Sequence, residues 1–313
     1  MSPNTTTCSY ADDFTILASD VDPDVIDERL NYALERILKW TKRKLLSISA
    51  EKSSVTFFTT DPHQHQHHPQ VKYEGALIPL AKNPKLLGVT LDPHFTFGPH
   101  AKRVVDKMGS RLRILKALAG TDWGGAAEDM LLTFKSLAAS IPDFAAPIYS
   151  PNLKPSHLRK LQTMQNNCLR VVTGCHAAAS MEHLHHETQT LPVDDHLQLL
   201  SRQFLATSLQ RDHPSFDVVS KPQGPRNLRH TLTSRHLPAV QPFLRGGVMP
   251  PERHRETLTD LHTSAVAVAV NSLDARPNRI LNARPPAIHC SASSLPLIGN
   301  RPYPNYDLVS VGR

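Results

Sequence analysis

The sequence predicts an α+β fold, and three observations carry that prediction. Short strand-like patterns flank one long helical pattern in the N-terminal part. Helical periodicity then takes over from about Pro99 to Asp212. From Pro214 the periodicity fades and 13 of the 26 prolines crowd the remaining stretch, which therefore adds little to a core. The expected units are residues 1–96, 97–213 and 214–313.

Thr5 to Cys8 favour a strand, Ala11-Asp12-Asp13 a turn, and Phe14 to Leu17 a second strand. Asp22 can cap a helix whose first residue is Pro23. Ile26, Leu30, Leu34, Ile37, Leu38 and Leu45 then recur at largely helical spacing, so one stripe is buried. Further short strands are expected at Val55–Phe58, Val71–Tyr73 and Leu86–Leu91. This β–α–β–β order suits a mixed layer better than a helix bundle.

The helical region carries four apolar stripes. They are Val105, Met108, Leu112 and Leu115; Met130, Leu131, Phe134, Leu137 and Ile141; Leu158, Leu161, Gln165, Cys168, Leu169 and Val172; and Leu197, Leu200, Phe204 and Leu205. Gly174 stops the third helix. Beyond Pro214 one further helix is possible, from Pro251 to Ser272, and the tail from Arg276 is expected to be loosely ordered.

Charge and cysteine content narrow the function classes. The chain has 35 Lys and Arg against 28 Asp and Glu, a basic excess compatible with a polyanionic partner. Its four cysteines form no CxxC pair, which argues against a zinc ribbon and a secreted disulfide framework. The N-terminus shows no signal-peptide pattern, and the longest apolar run, Ala265 to Val270, is far too short to span a membrane. A soluble, reducing, intracellular setting is expected. His63, His65, His67 and His68 crowd one stretch between Pro62 and Pro69. Such tracts can bind transition metals, but without a second regularly spaced ligand set an exposed low-complexity loop is the expectation. The same holds for His183, His185 and His186.

The chemistry concentrates at Asp12 and Asp13. Two carboxylates that close repel each other unless a cation neutralises them. Oxygen-only ligands suit a hard ion such as Mg²⁺, and paired Mg²⁺ ions serve nucleotidyl transfer. A solvated Asp-Asp turn is the plainer alternative. Tyr10 and Ala11 in front and an apolar strand behind tilt the balance toward a site.

Tyr10-Ala11-Asp12-Asp13 resembles the YxDD turn of reverse transcriptases, and the similarity continues in order along the chain. Leu45 to Phe58 is similar to the family's palm motif D, with Lys52 at the lysine near the incoming nucleotide. A lysine there would protonate the leaving pyrophosphate; an ordinary loop lysine is the other reading. Lys85 to Asp92 resembles the KxLGVxLD hairpin of LINE-type polymerases, which grips the primer end. Gly88 would let a nucleic-acid backbone approach, or it is a bulge glycine in a buried strand. Ala145 to Tyr149, Leu161 to Gly174 and Glu187 to His196 are similar to segments of jockey-like elements. The resemblance covers about residues 5–212, is faint from Arg229 to Pro296, and is lost at the end.

The resemblance implies a partial polymerase palm over 1–96 and a helical thumb over 97–213. It implies Asp12 and Asp13 as catalytic metal ligands with Lys52 as a catalytic partner, and Mg²⁺ as the cofactor. An RNA template and a DNA primer would be the partners, with Tyr10, Gly88, Lys102, Arg103, Lys107, Arg111 and Arg113 facing nucleic acid. Lys102 to Lys116 place six cations against the lone Asp106, either as a phosphate-contacting helix or as a solvated face. A nuclear or cytoplasmic ribonucleoprotein location follows from the family, with no membrane and no stated oligomer. Only nine residues precede Tyr10, so palm motifs A and B and the fingers are not expected here. The expected result is a truncated RNA-directed DNA polymerase of a non-LTR retrotransposon, inactive alone and with weak or absent Mg²⁺ binding. The alternatives are a nucleic-acid-binding helical module with a vestigial palm, or a relic without function.

Overall fold

The structure, a computed structural model, describes residues 5–59, 61–64, 66–120, 124–220 and 232–274. Strands β1 (Thr5–Tyr10) and β2 (Asp13–Ala18) form an antiparallel hairpin with Tyr10 opposite Asp13. The turn is therefore Ala11–Asp12, and Asp13 belongs to the strand, one residue tighter than the sequence suggested. An isolated two-stranded hairpin is marginal in water, so it needs a helix behind it. Helix α1 (Pro23–Arg43) provides that support. Asp22 caps it by accepting a hydrogen bond from the Asp24 amide, and Pro23 opens it as expected. Ile16 of β2 joins Leu30, Leu34, Leu38, Val55 and Val71 in a small core.

The expected strand content shrinks in this part of the chain. Val55–Phe58 reduces to a single parallel bridge between Val55 and Leu80. Of Val71–Tyr73 only β3 (Lys72–Tyr73) remains, paired with β4 (Ala76–Leu77). Leu86–Leu91 is not one strand but a tight hairpin of β5 (Lys85–Leu86) and β6 (Val89–Thr90). Leu45 does not continue the buried stripe: α1 ends at Arg43, and Leu45 has φ 56° and lies in solvent. Periodicity could not see this, because the stop depends on the backbone turning at Lys44 and Leu45.

The helical part contains α2 (Gly98–Leu118), α3 (Ala127–Phe134), α4 (Ser140–Asp143), α5 (Ala146–Tyr149), α6 (Pro155–Thr173), α7 (Met181–Thr188) and α8 (Val193–Ser208). Helix α6 is its centre and packs against α2, α3, α7 and α8. Leu161 faces one core with Met108, Tyr149 and Leu197, while Cys168 and Leu169 face another with Leu115, Phe134 and Leu184. Burial pushes the Cys168 thiol up to about 11, so it packs as a small apolar group. Gly174 stops α6 at φ 67°, as its sequence predicts.

One stripe slips. A single π-helical turn, Lys135–Ala139, joins α3 to α4 and shifts the following register by one residue. Met130, Phe134, Ala138 and Pro142 are buried, whereas the expected Leu137 is 38% exposed.

The C-terminal stretch is more organised than its prolines suggest. Helix α9 (Phe216–Val219) is followed by α10 (Leu232–Val240) and α11 (His254–Asp274), the last matching the possible helix read from the sequence. Val240, Met249, Leu261 and Ala265 close a third core on Leu199, Leu205 and Leu209. The expectation for the tail from Arg276 lies outside the described residues. The architecture is mostly helical with small antiparallel sheets, consistent with α+β.

This third core carries a pH prediction. His236 on α10 is buried, and desolvation, then Arg202 and Arg235, pull its pKa from 6.5 to about 4, with Asp194 opposing. The folded chain therefore binds fewer protons than the unfolded one between those values, so stability falls as pH drops from about 6.5 toward 4. The loss should be on the order of 2 kcal/mol. Urea unfolding at pH 7 and pH 4.5 should show it, and His236→Gln should flatten that interval. An equal acid loss in the variant would refute the assignment.

Candidate nucleic-acid interface

Three of the expected residues share the β1–β2 tip. Ala11 at φ 52° lets the chain reverse in two residues. That places Asp12 on the turn and Asp13 at the start of β2, both exposed. Tyr10 retains 68% of its exposure, so its ring is available to a ligand rather than part of the core. Phe14, one residue further, turns back onto α1 and meets Trp40 edge-on at 5.9 Å. The hairpin thus has an anchored base and a free acidic tip.

Lys52 stands apart. It lies in an exposed turn after α1, where the Ser53 amide and hydroxyl both donate to the Ser49 carbonyl. Among the described residues no hydrogen bond or ion pair joins it to Asp12 or Asp13. It precedes the Val55 bridge and does not sit between two strands.

Gly88 has two reasons to be glycine, one in its own turn and one from a distant ring. With Leu87 at φ 44° and Gly88 at φ 92°, the β5–β6 turn needs the left-handed region twice. A Cβ on Gly88 would meet the Phe144 ring at 2.9 Å. The side of Gly88 that a nucleic-acid backbone could have used for close approach is thus filled by Phe144. Val89 and Thr90 are buried behind the turn, and the Thr90 amide donates to Nδ1 of His100 at 3.2 Å. His100 must be neutral to accept. Burial first, and then Arg103 and Lys107, lower its pKa accordingly.

Asp92, which the sequence reading left without a role, fixes the passage into α2. Its buried carboxylate accepts from the Thr96 amide and hydroxyl and from the Phe97 amide, at 3.0, 2.9 and 2.7 Å. Phe95 and Phe97 both take positive φ in that turn, which is affordable only because the carboxylate ties it down.

Helix α2 then presents Lys102, Arg103, Lys107, Arg111, Arg113 and Lys116, all exposed, opposite a buried stripe of Ala101, Val104, Met108 and Leu115. Arg103, Lys107 and Arg111 recur every four residues and form one row. Lys102, Arg113 and Lys116 flank it. None has an ion-pair partner among the described residues. A rigid helix with cations free of ion pairs over about four turns can contact a phosphate backbone without reading bases.

Oxygen donors at Asp12 and Asp13 fit a hard divalent cation in kind but not in number. Among the described residues no third metal-ligating side chain groups with them. No described helix is long and apolar enough to cross a membrane.

The sequence reading missed two associations. His67 is not a free loop histidine: it is partly buried, meets the Phe57 ring at 5.0 Å in a tilted contact, and lies 3.2 Å from buried Asp27 of α1. The His65 expectation lies outside the described residues. His185 is likewise buried, near Gln162, Asn166 and the Thr190 carbonyl. Period-based reading had no signal for either, since Asp27 lies 40 residues from His67, and Asn166 and Gln162 lie 19 and 23 residues from His185.

No protein-family model matches the chain, and no solved structure matches it significantly. Curated proteins do. The chain is 24% identical over 211 residues to a probable RNA-directed DNA polymerase from transposon BS of Drosophila melanogaster, covering 66% of this chain and 22% of the relative. It is 24% identical over 217 residues to one from transposon X-element of the same species, covering 66% and 23%. A third relative, the RNA-directed DNA polymerase from mobile element jockey, is 24% identical over 243 residues, covering 75% and 26%. These homologues are non-LTR retrotransposon polymerases. The chain spans about a quarter or less of their length.

Proposed function

We propose that these residues form the tip of the palm and the thumb of a non-LTR retrotransposon reverse transcriptase. Residues 1–96 would be palm and 97–213 thumb, acting on an RNA template and a DNA primer in the nucleus or a cytoplasmic ribonucleoprotein. The observation that carries this reading is the order on one chain: an exposed Tyr10–Asp13 tip, a glycine hairpin at Gly88, then the cationic α2. In this role Asp12 and Asp13 are ligands for Mg²⁺, Tyr10 faces the primer end, and Lys52 serves the leaving pyrophosphate. The β5–β6 turn and α2 hold the duplex, with Lys102, Arg103, Lys107, Arg111 and Arg113 on its phosphates.

Two carboxylates without a third hold Mg²⁺ weakly and cannot fix in-line geometry. The 313-residue polypeptide is therefore expected to bind template–primer without extending it. Primer extension with Mg²⁺ on an RNA template tests this directly. Incorporation that Asp12→Ala abolishes would overturn the inactivity, and absence of salt-dependent duplex binding would overturn the thumb role. A binding module with a vestigial palm is the second reading, favoured by the unpaired α2 cations. Duplex binding that is indifferent to Asp13→Ala, with no added polymerase segment restoring extension, would select it.

A further inference from the structure

We propose that Asp24, Asp27 and His67 form a binding site for a divalent transition cation of the zinc class, which fastens the histidine-rich segment to the first turns of α1. One ligand atom from each residue lies within 4.8 Å of the others. Asp24 and Asp27 are three apart on α1 and so face the same way. His67 reaches them from the segment before β3.

The polar atoms at this place are unsatisfied in a way that points to a ligand. Asp27 keeps only 7% of its exposure, yet its Oδ1 is buried without a hydrogen-bond partner. Nε2 of His67 is also buried and without one, although it stands 3.2 Å from Oδ2 of Asp27. The two are close but not aligned as donor and acceptor. Two ligands of one tetrahedral zinc ion, each bound at ~2.0–2.1 Å, stand about 3.3 Å apart with both lone pairs aimed at the metal. The spacing from His67 Nε2 to Oδ2 of Asp27 matches that arrangement, and Oδ1 is the oxygen of the same carboxylate that has no partner.

The surroundings hold both groups in place. The Gln70 amide donates to Oδ2 of Asp27 at 2.8 Å, orienting the carboxylate. Asn31 clamps the same segment, its amide donating to the Gln70 carbonyl and its oxygen accepting from the Lys72 amide. The Phe57 ring supports the imidazole. The positive end of α1 opposes a cation with about half a charge, which two carboxylates outweigh. An imidazole with carboxylates selects a borderline ion over Mg²⁺, and water fills the fourth position.

This site is independent of the polymerase reading. The test is equilibrium dialysis of the 313-residue protein against Zn²⁺ in excess Mg²⁺, quantified with a competing chromophoric chelator. One equivalent should be retained, and Asp27→Asn or His67→Gln should each weaken it by roughly 10–100-fold or more. Asp24→Asn, at an exposed carboxylate, should also weaken it while far-UV circular dichroism stays unchanged, which separates ligand loss from unfolding. His63→Gln and His183→Gln should leave binding intact. Failure to retain an equivalent, or binding that follows His63 and ignores Asp27, Asp24 and His67, overturns the site.

Discussion

Replacing Arg103, Lys107 and Arg111 together with glutamine is expected to weaken binding of an RNA–DNA hybrid by roughly 10–100-fold at low salt, and to lower the log–log salt slope by about two to three. The three side chains form one exposed row on α2 and have no ion-pair partner among the described residues. Neutralising them therefore leaves no buried carboxylate stranded, and the fold should be unaffected. Among the described residues the hydrogen bond at stake is a long one, 3.4 Å, from Arg103 to the Thr90 hydroxyl. Fluorescence anisotropy between 50 and 200 mM salt reads both quantities, since released counterions set the slope. An unchanged slope would mean that α2 is a solvated face and that the duplex, if bound, lies elsewhere. Asp12→Ala serves as the control, because it removes charge from the tip without touching the row.

Phe134→Ala is expected to cost about 3–5 kcal/mol, whereas Leu137→Ala should cost about 1 kcal/mol or less. The two residues belong to the same apolar stripe when the sequence is read with helical spacing. In the structure Phe134 is completely buried among Leu115, Leu169 and Leu184, and removing its ring leaves a cavity that α2 and α6 cannot close without losing their own contacts. Leu137 falls within the π turn, which rotates it off the buried stripe, and it is 38% exposed. Urea denaturation of the two variants gives the comparison through the shift in midpoint at constant slope. Equal losses would mean that α3 continues regularly into Leu137.

The candidate site was legible where chemistry is local. Tyr10-Ala11-Asp12-Asp13 announced a turn because two acids flanked by strand formers have few other places to go. The cations of α2 could be counted directly, and helical spacing put them opposite Met108 and Leu115. Gly88 was noticed but its reason was not: the sequence cannot show that Phe144, 56 residues later, lies against its α-carbon. The role of Asp92 in shaping the entry to α2 was hidden for a related reason, since it depends on two phenylalanines taking positive φ. The histidine tract was read correctly at His63 and His68, which are exposed, and misjudged at His67. Composition made it look solvent-bound, while Asp27 and Asn31 hold its end through contacts about 40 residues apart in sequence.

What the sequence determined by itself follows from period and local capping. It set the start of α1 from the Asp22 cap and Pro23, the buried stripe and stop of α6, the presence of the last helix, and the acidic tip. These features depend on residues within a turn or two of each other, so their energies are written into neighbouring side chains. Tertiary structure decided the rest. It reduced the expected strands to two-residue hairpins, slipped the α3–α4 register by one position, and built a third core from a proline-rich stretch. It also brought His67 to Asp27 and Phe144 to Gly88. Each of these depends on groups distant in sequence excluding water or satisfying one another, and no local pattern records which distant partner a residue will meet.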